Sequence, residues 1–259
     1  VKAVTSTDTT ALTASADSSA QVSTHSVIIG QLAQNDILTT ASGVSSLTSS
    51  ITSAVTNMTF TYAGQSYTLS NIGASTTLQG LVNFINNSAI ANGKIRATTI
   101  FDGSVYHLQL YGMGQGAANQ VTITSTGAMV FQPAAFNNTQ NAQSALIKVD
   151  GYPIGASSWL TRNSNTVNDV IPGITMNLKE ANSNASIKIG ISTDTTSVKN
   201  NIKTFISQIN EVRTMIKNIS KVSEIDGETT GSILTGNYGV QLISSQLKDI
   251  TADKGLGFE

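Results

Sequence analysis

The fold class is decided by one stretch, Asn57-Met-Thr-Phe-Thr-Tyr-Ala-Gly-Gln-Ser-Tyr-Thr-Leu69, in which large apolar side chains alternate with hydroxyl side chains. Phe60 and Tyr62 alternate with threonines, Gly64 lies where the chain can turn, and the alternation resumes at Tyr67. An alternation of period two on both sides of a glycine is typical of a β-hairpin. The stretch therefore predicts a β-rich fold.

The chain after this hairpin predicts a compact ββαβββ unit over residues 57–125. Thr76-Thr-Leu-Gln79 has the spacing of a capping box, and the helix that it starts is expected to end near Asn87. Asp102-Gly103 is a strong signal for a tight turn between two strands. The predicted elements are a helix with the apolar face Leu78, Leu81, Val82 and Ile85, and strands at Ile95–Phe101, Val105–Tyr111 and Gln120–Ser125.

The segments around this unit have weaker patterns. Residues 1–24 are rich in Thr, Ser and Ala and fit either extended edge structure or partly disordered chain. Ser26–Ala33 predicts a buried strand, whereas residues 39–53 fit either a helix or a loop. Residues 126–141 are expected to be a connection.

A second β unit follows the connection. Ala145–Asp150 predicts a strand, Thr166–Val170 predicts one helical turn ended by a Pro-Gly pair, and Ile174–Leu178 and Ala185–Ile191 predict a hairpin. These strands are too few for a stable sheet, so we expect Ser26–Ala33 to complete it. The predicted domains are then residues 1–35 with 142–198 as one β-rich domain, and residues 36–141 as a β-rich domain inserted in it.

From Thr193 the apolar period becomes helical, with Asp194 or Thr196 as the N-cap, and residues 199–259 predict a partial helical domain. A second helix begins near Tyr238, and an acidic, Gly-containing loop from Val222 to Gly236 separates the two. Each helix carries an apolar stripe with coiled-coil spacing, and two helices cannot bury both stripes by themselves. The hypothesis for a packing or assembly face therefore comprises Phe205, Ile209, Val212, Ile216, Ile219, Val240, Ile243 and Leu247, with Ile250 continuing the second stripe.

Composition narrows the classes of function. Charged residues make up only 11% of the chain and the formal net charge is -1, so the sequence has no basic footprint for nucleic acid or an anionic membrane. No apolar run approaches the length of a membrane span. The absence of Cys excludes disulfides, thiolate metal sites and cysteine nucleophiles.

Candidate chemical motifs fail in their context, so the sequence predicts no enzyme, no metal site and no cofactor. Gly112-x-Gly114-x-Gly116 is followed by a predicted strand, where a dinucleotide-binding motif requires a helix. His25 and His107 have no ligand partners at metal-binding spacing, and no nucleophile elbow is present.

Two binding motifs have a plainer alternative. An EF-hand register through Glu224–Glu228 would place Val222 and Ile233 at ligand positions, so a solvated loop is the better interpretation. Tyr152 and Trp159 could form an aromatic platform for a sugar ring, although a lone Trp is more often packed in a core.

Several strings, in their order along the chain, resemble a known family. They are Ser26-Val-Ile-Ile-Gly-Gln-Leu-Ala33, Thr77-Leu-Gln-Gly-Leu-Val-Asn-Phe-Ile-Asn86, Gly116-Ala-Ala-Asn119, Asn165-Thr-Val-Asn-Asp-Val-Ile-Pro-Gly-Ile-Thr-Met-Asn-Leu178 and Gly231-Ser-Ile-Leu-Thr-Gly-Asn237. Together they resemble the flagellar hook-associated protein 2 family, the FliD-type filament caps. In the last string Asn237 stands where the family usually has Asp.

The resemblance implies an α+β, mainly β protein with two β-rich head domains on a helical leg. It implies a structural role at the tip of the flagellar filament, where a ring-like homo-oligomer promotes flagellin polymerisation and prevents loss of flagellin. The implied partners are other copies of the chain, flagellin and the hook–filament junction proteins, after export by the flagellar secretion apparatus to the cell exterior. An adhesin whose head binds host mucin or glycan is the alternative. Because the chain begins at Val1 and shows no terminal coiled-coil segments, we expect it to be a central fragment.

Overall fold

The computed structural model describes residues 2–225 and 228–252. The described chain divides into two compact units, which are the β-rich unit Lys2–Thr193 and a helical unit that begins at Asp194. The β-rich unit contains two separate hydrophobic cores. We call them the central core, whose buried residues lie between Leu38 and Phe131, and the flanking core, whose buried residues lie in Ala11–Ala33 and Ala145–Ile191.

The flanking core lies between two antiparallel sheets. In the larger sheet, β15 and β3 are inner strands and the register places Ile187 opposite Val27. The smaller sheet places Met176 opposite Ala14. The strands of the larger sheet are, in spatial order, β1 (Lys2–Ser6), β15 (Asn182–Thr193), β3 (Ser23–Gln31), β11 (Ala145–Val149) and β12 (Leu160–Arg162), and those of the smaller are β13 (Thr166–Val167), β14 (Ile174–Leu178) and β2 (Leu12–Ala16).

The central core is built from two more antiparallel sheets and one helix, α1 (Leu78–Asn86). Leu81 and Ile85 of α1 are fully buried, and so are Phe60 and Leu108 of the sheets. One sheet has the order β10 (Phe136–Gln140), β4 (Asn35–Thr40), β8 (Tyr106–Gln115) and β7 (Ile95–Phe101), and the other has the order β6 (Gln65–Ile72), β5 (Thr56–Tyr62) and β9 (Val121–Ser125).

The helical unit consists of α2 (Thr195–Ile219), a hairpin of β16 (Val222–Ile225) and β17 (Glu228–Gly231), and α3 (Tyr238–Ala252). No described helix is both long and apolar enough to cross a bilayer.

The mainly β fold with a helical part confirms the predicted class. The hairpin β5–β6, the face of α1, the strands β7, β8 and β9 and the two long helices lie where the sequence predicts them. β3 pairs with both β11 and β15, as expected for a strand that completes the second β unit. Residues 2–24 take the extended alternative, and residues 41–55 take the loop alternative, after β4.

Several local predictions are wrong. The N-cap of α1 is Thr77 rather than Thr76, since the Thr77 hydroxyl accepts the Gly80 N–H at 3.1 Å. Residues 166–170 contain β13 in place of a helical turn, and the loop after Val222 contains the β16–β17 hairpin, in which Asp226 and Gly227 lie outside the described residues. β14 and β15 do not pair with each other but belong to different sheets.

The prediction of the ββαβββ unit also left out two strands. β4 and β10 belong to its larger sheet, although neither segment shows a clear strand pattern in the sequence. The supposed connection 126–141 contributes the buried side chains Met129 and Phe131 as well as β10. Strands with mixed polar residues are stabilised by their neighbours in the sheet rather than by local propensity, which explains both omissions.

Candidate functional site

The predicted assembly face lies on α2 and α3, and the start of α2 is fixed locally. Asp194 is the N-cap, and its carboxylate accepts the Ser197 N–H at 2.8 Å. The hydrogen bonds from Ser197 hold the pKa of Asp194 below its ordinary value. A negative charge at this position also interacts favourably with the helix dipole.

The far end of α2 is tied to the hairpin that follows. Ser220 donates its hydroxyl to the Ile216 carbonyl at 2.6 Å, and the Leu234 N–H bonds the Ile219 carbonyl at 3.0 Å. These contacts satisfy carbonyls that a helix end otherwise leaves open. They place α3 so that it returns along the C-terminal half of α2.

A narrow groove marks where α3 meets α2. Its lining includes Ile216 and Ser220 of α2 and Val240 and Ser244 of α3, and it encloses about 270 Å³. Small serines opposite isoleucine and valine leave this interface incompletely filled, because they supply little apolar volume. The structure thus brings together Ile216 and Val240 of the predicted face.

The predicted stripe of α2 is covered unevenly. Ile209, Ile216 and Ile219 are half-buried, whereas Phe205 is 58% exposed and Val212 is 44% exposed. On α3, Val240 and Leu247 are half-buried, Ile243 is exposed, and the side chain of Ile250 lies outside the described residues.

The N-terminal half of α2 carries most of the exposed apolar surface. Val198, Ile202 and Ile206 are exposed together with Phe205, and these four residues recur at helical spacing on one side of the helix. We call them the open stripe. No residue of α2 is buried among those that the structure describes. A contiguous apolar stripe left in solvent is typical of a surface that packs against another polypeptide.

A second functional feature is the crossing between the two cores of the β-rich unit. Gln34 and Gln143 pair like residues of adjacent strands, with N–H to carbonyl distances of 2.8 and 3.1 Å. The Asn165 side chain bonds both the N–H and the carbonyl of Ala33, at 2.7 and 2.9 Å. The two chain passages are therefore joined by hydrogen bonds rather than connected by free linkers.

Asp36 lies at this crossing and is fully buried. Its carboxyl group accepts three hydrogen bonds, from the Val121 N–H at 2.7 Å, the Asn138 amide at 2.7 Å and the Ala142 N–H at 3.0 Å. Sequence analysis did not identify Asp36, because its partners are distant along the chain. Buried carboxyl groups with several N–H donors stabilise one particular chain arrangement.

Within the described residues, no three His, Cys, Asp or Glu side chains are grouped as they would be to hold a metal ion. Trp159 is half-buried and lies against Gly30, where an added Cβ would come within 2.7 Å of the ring, so it packs on β3. Tyr152 is exposed. The open stripe on α2 is instead suited to binding by apolar contact.

Comparison with known proteins finds similarity to one family. Residues 142–255 match the family model for the flagellar hook-associated protein 2 C-terminus. The chain is also 27% identical over 251 residues to the lateral flagellar hook-associated protein 2 of Vibrio parahaemolyticus, across 92% of this chain. Both comparisons point to the flagellar hook-associated protein 2 family, which this chain resembles.

Another relative and one solved structure show the same resemblance. The B-type flagellar hook-associated protein 2 of Pseudomonas aeruginosa is 26% identical over 198 residues, which cover 68% of this chain and 40% of that protein. The D1-D2-D3 domains of the Escherichia coli flagellar cap protein FliD share the fold with a TM-score of 0.74 and 22% identity, over 97% of this chain and 69% of that one.

The chain spans about half the length of the curated hook-associated protein 2 relatives that it matches, 55% of the Vibrio protein and 40% of the Pseudomonas protein. These relatives are named as flagellar proteins. The matched C-terminal segment of the family includes α2 and β17, and therefore the whole open stripe.

Proposed function

We propose that this protein is the structural cap at the tip of the bacterial flagellar filament, where it promotes flagellin polymerisation and prevents loss of flagellin monomers. The resemblance to the hook-associated protein 2 family carries the proposal. The fold shared with the Escherichia coli flagellar cap protein over 97% of the chain supports it.

The proposed location is the cell exterior, reached through the flagellar secretion apparatus. The proposed partners are further copies of the chain in a ring-like oligomer, flagellin, and the proteins of the hook–filament junction. The work of such a cap is steric templating by surfaces that exchange contacts, which requires neither a catalytic group nor a cofactor. That the protein is no enzyme remains a prediction, consistent with relatives named as hook-associated proteins.

We propose that the face on α2 and α3 packs against helical segments of the full-length protein. The open stripe supports this, because four apolar side chains at helical spacing need a partner with a complementary stripe. The length of the Vibrio relative also supports it, since this chain spans only 55% of that protein.

Complementation of a cap-deleted strain tests the proposal. The full-length gene should restore filament growth and lower the amount of flagellin in the medium, measured by electron microscopy and immunoblot. The variant protein with Ile202→Ser and Phe205→Ser should be exported but should restore shorter or fewer filaments, because the substitutions remove apolar surface from the open stripe. Lys203→Ser is the matched control, since Lys203 is exposed on another side of the same turns.

The cap function would be refuted if the wild-type protein is exported and flagellin is still lost to the medium. Equal filament growth with the double variant and the control would refute only the role of the open stripe. The adhesin alternative has no support among the relatives, whose names all refer to the flagellum.

A further inference from the structure

His107 joins two parts of the sheet that are distant in sequence. It lies near the start of β8, with ring Nδ1 2.7 Å from the Thr40 carbonyl oxygen at the end of β4. Its Nε2 lies 3.0 Å from Oδ2 of Asp102 in the turn between β7 and β8. The His107 side chain is 14% exposed and that of Asp102 is 47% exposed.

Both partners of the ring are hydrogen-bond acceptors. A carbonyl oxygen has no proton to donate, and Oδ1 of Asp102 accepts the N–H groups of Ser104 and Val105, both at 2.8 Å. An ionised carboxylate can only accept. Both ring nitrogens must therefore donate, and only the imidazolium form carries two N–H groups.

We propose that His107 is a pH-operated latch that holds the β7–β8 turn to the end of β4 as an imidazolium and releases the turn when the ring becomes neutral. The latch is a property of the fold and is independent of the proposed cap function.

The neutral ring should keep its proton on Nδ1. Thr40 is buried, so its carbonyl would be left without a partner, whereas water can replace the bond at the exposed carboxylate of Asp102. Nε2 would then direct a lone pair at the Asp102 carboxylate. The turn should separate from the ring while the ring stays bound to β4.

The groups around His107 give the direction of the pH dependence. Asp102 is the one charged side chain at hydrogen-bond distance from the ring among the described residues; Ile100, opposite on β7, is uncharged, and Arg96 pairs with Tyr111 further along that sheet. From β4 the ring meets the Thr40 carbonyl, while Asp36 of the same strand is buried at the crossing between the cores.

The hydrogen bond that His107 donates to the Asp102 carboxylate raises the pKa of His107 above its ordinary value. The Val105 N–H, with His107 and the Ser104 N–H, lowers the pKa of Asp102 to about 2. A raised histidine pKa contributes stability below about pH 6.5, which is lost as the pH rises through the raised value. The latch should thus be closed in weak acid and open in alkali.

The turn that the latch holds carries apolar surface. Ile100 and Phe101 are about half exposed, and the Phe101 ring lies 4.7 Å from that of Tyr106. Val105 packs against the backbone at Gly43, where an added Cβ would lie 2.6 Å from its Cγ2. Release of Asp102 removes the hydrogen bond between His107 and the turn, so that only these apolar contacts hold the turn in place.

Nuclear magnetic resonance of the ring nitrogens tests the latch, because the chain has only two histidines, His25 and His107. A titration from pH 5 to 9 should show a pKa of His107 above the ordinary histidine value, followed by the Nδ1–H tautomer. Protection of the Ser104 and Val105 amides, normalised for intrinsic exchange, should fall across that pKa. Each unit by which the pKa of His107 is raised corresponds to about a tenfold change in the equilibrium constant for latch closure.

The decisive variant is Asp102→Asn, because its carbonyl oxygen still caps the turn while its amide can donate to a neutral ring. It should lower the pKa of His107 and remove the pH dependence of turn protection. Asp150→Asn, at the carboxylate 2.7 Å from Nδ1 of His25, is the control and should leave His107 unchanged. A His107 pKa at or below the ordinary value, or equal turn protection on both sides of it, would overturn the proposal.

Discussion

Asp36 is the residue that connects the central core to the passages leading into it. Its three N–H partners come from β9, from β10 and from the return passage at Ala142. These partners follow Asp36 by 85, 102 and 106 residues. A single side chain therefore fixes three segments that only the folded state brings together.

Replacement of Asp36 should be costly. Asp36→Asn turns an amide N–H₂ toward a backbone N–H, and we expect it to lower the free energy of unfolding by about 1–3 kcal/mol. Asp36→Ala leaves three buried donors without a partner, and we expect a loss of about 3–5 kcal/mol. Asp169→Asn, at an exposed ion pair with Arg162, should cost less than about 1 kcal/mol. Urea unfolding followed by circular dichroism measures all three. Equal midpoints for Asp36→Asn and Asp169→Asn would contradict this role of Asp36.

At the scale of elements, α2 divides into a half that α3 covers and a half that it leaves open. Ile216 lines the groove with Val240, whereas Phe205 on the open stripe is 58% exposed. The sequence predicted the spacing of the stripe, but it could not show which turns of α2 a short second helix would reach. That depends on the hairpin that returns the chain beside Ile219.

Truncation along the stripe should separate the two halves. Ile216→Ala should destabilise the helical unit by about 1–2 kcal/mol, less than a fully buried isoleucine, and Phe205→Ala should change it by less than about 0.5 kcal/mol. Arg213→Ala should also matter little, because a flanking arginine keeps its charge in water. Hydrogen exchange of peptides from residues 199–219 can measure this, with peptides of the β-rich unit unchanged. If Phe205→Ala accelerates exchange as much as Ile216→Ala, the division of α2 is wrong.

For the whole molecule, we propose that residues 36–141 fold as a unit inserted in a domain of residues 1–35 and 142–198, with residues 199–259 as a partial helical domain. The separate cores support this proposal, because the buried apolar residues of the central core all lie between Leu38 and Phe131. The excised segment 36–141 should therefore unfold in one cooperative thermal transition.

Residues 57–125 alone provide the control for that experiment. They lack β4 and β10, which leaves β8 with β7 as its only neighbour in the sheet, and they lack the buried Ile51 and Phe131. We expect the shorter segment to show no cooperative transition in calorimetry. A non-cooperative 36–141 segment would refute the inserted unit, and a cooperative 57–125 segment would show that the smaller unit is sufficient.

The sequence by itself determined the elements whose signals are local. The β5–β6 hairpin follows from alternation around Gly64, α1 follows from its apolar face, and α2 follows from its helical apolar period, with an N-cap at Asp194 or Thr196 between which the structure chose Asp194. Such signals are read within a few residues, because turn geometry, capping and side-chain periodicity act over one or two turns of chain. The resemblance to the flagellar family followed from the order of such strings.

Only the tertiary structure decided which strands pair and which polar groups meet. β14 and β15 look like a hairpin along the chain, yet β14 pairs with β2 and β15 with β1 and β3, because each buries its apolar face against a different part of the flanking core. β4 is a strand because it pairs with β8, and β10 is a strand because it pairs with β4. His107 and Thr40 are 67 residues apart, and a hydrogen bond at that separation depends on the strand order of the sheet, for which no local pattern gives a signal.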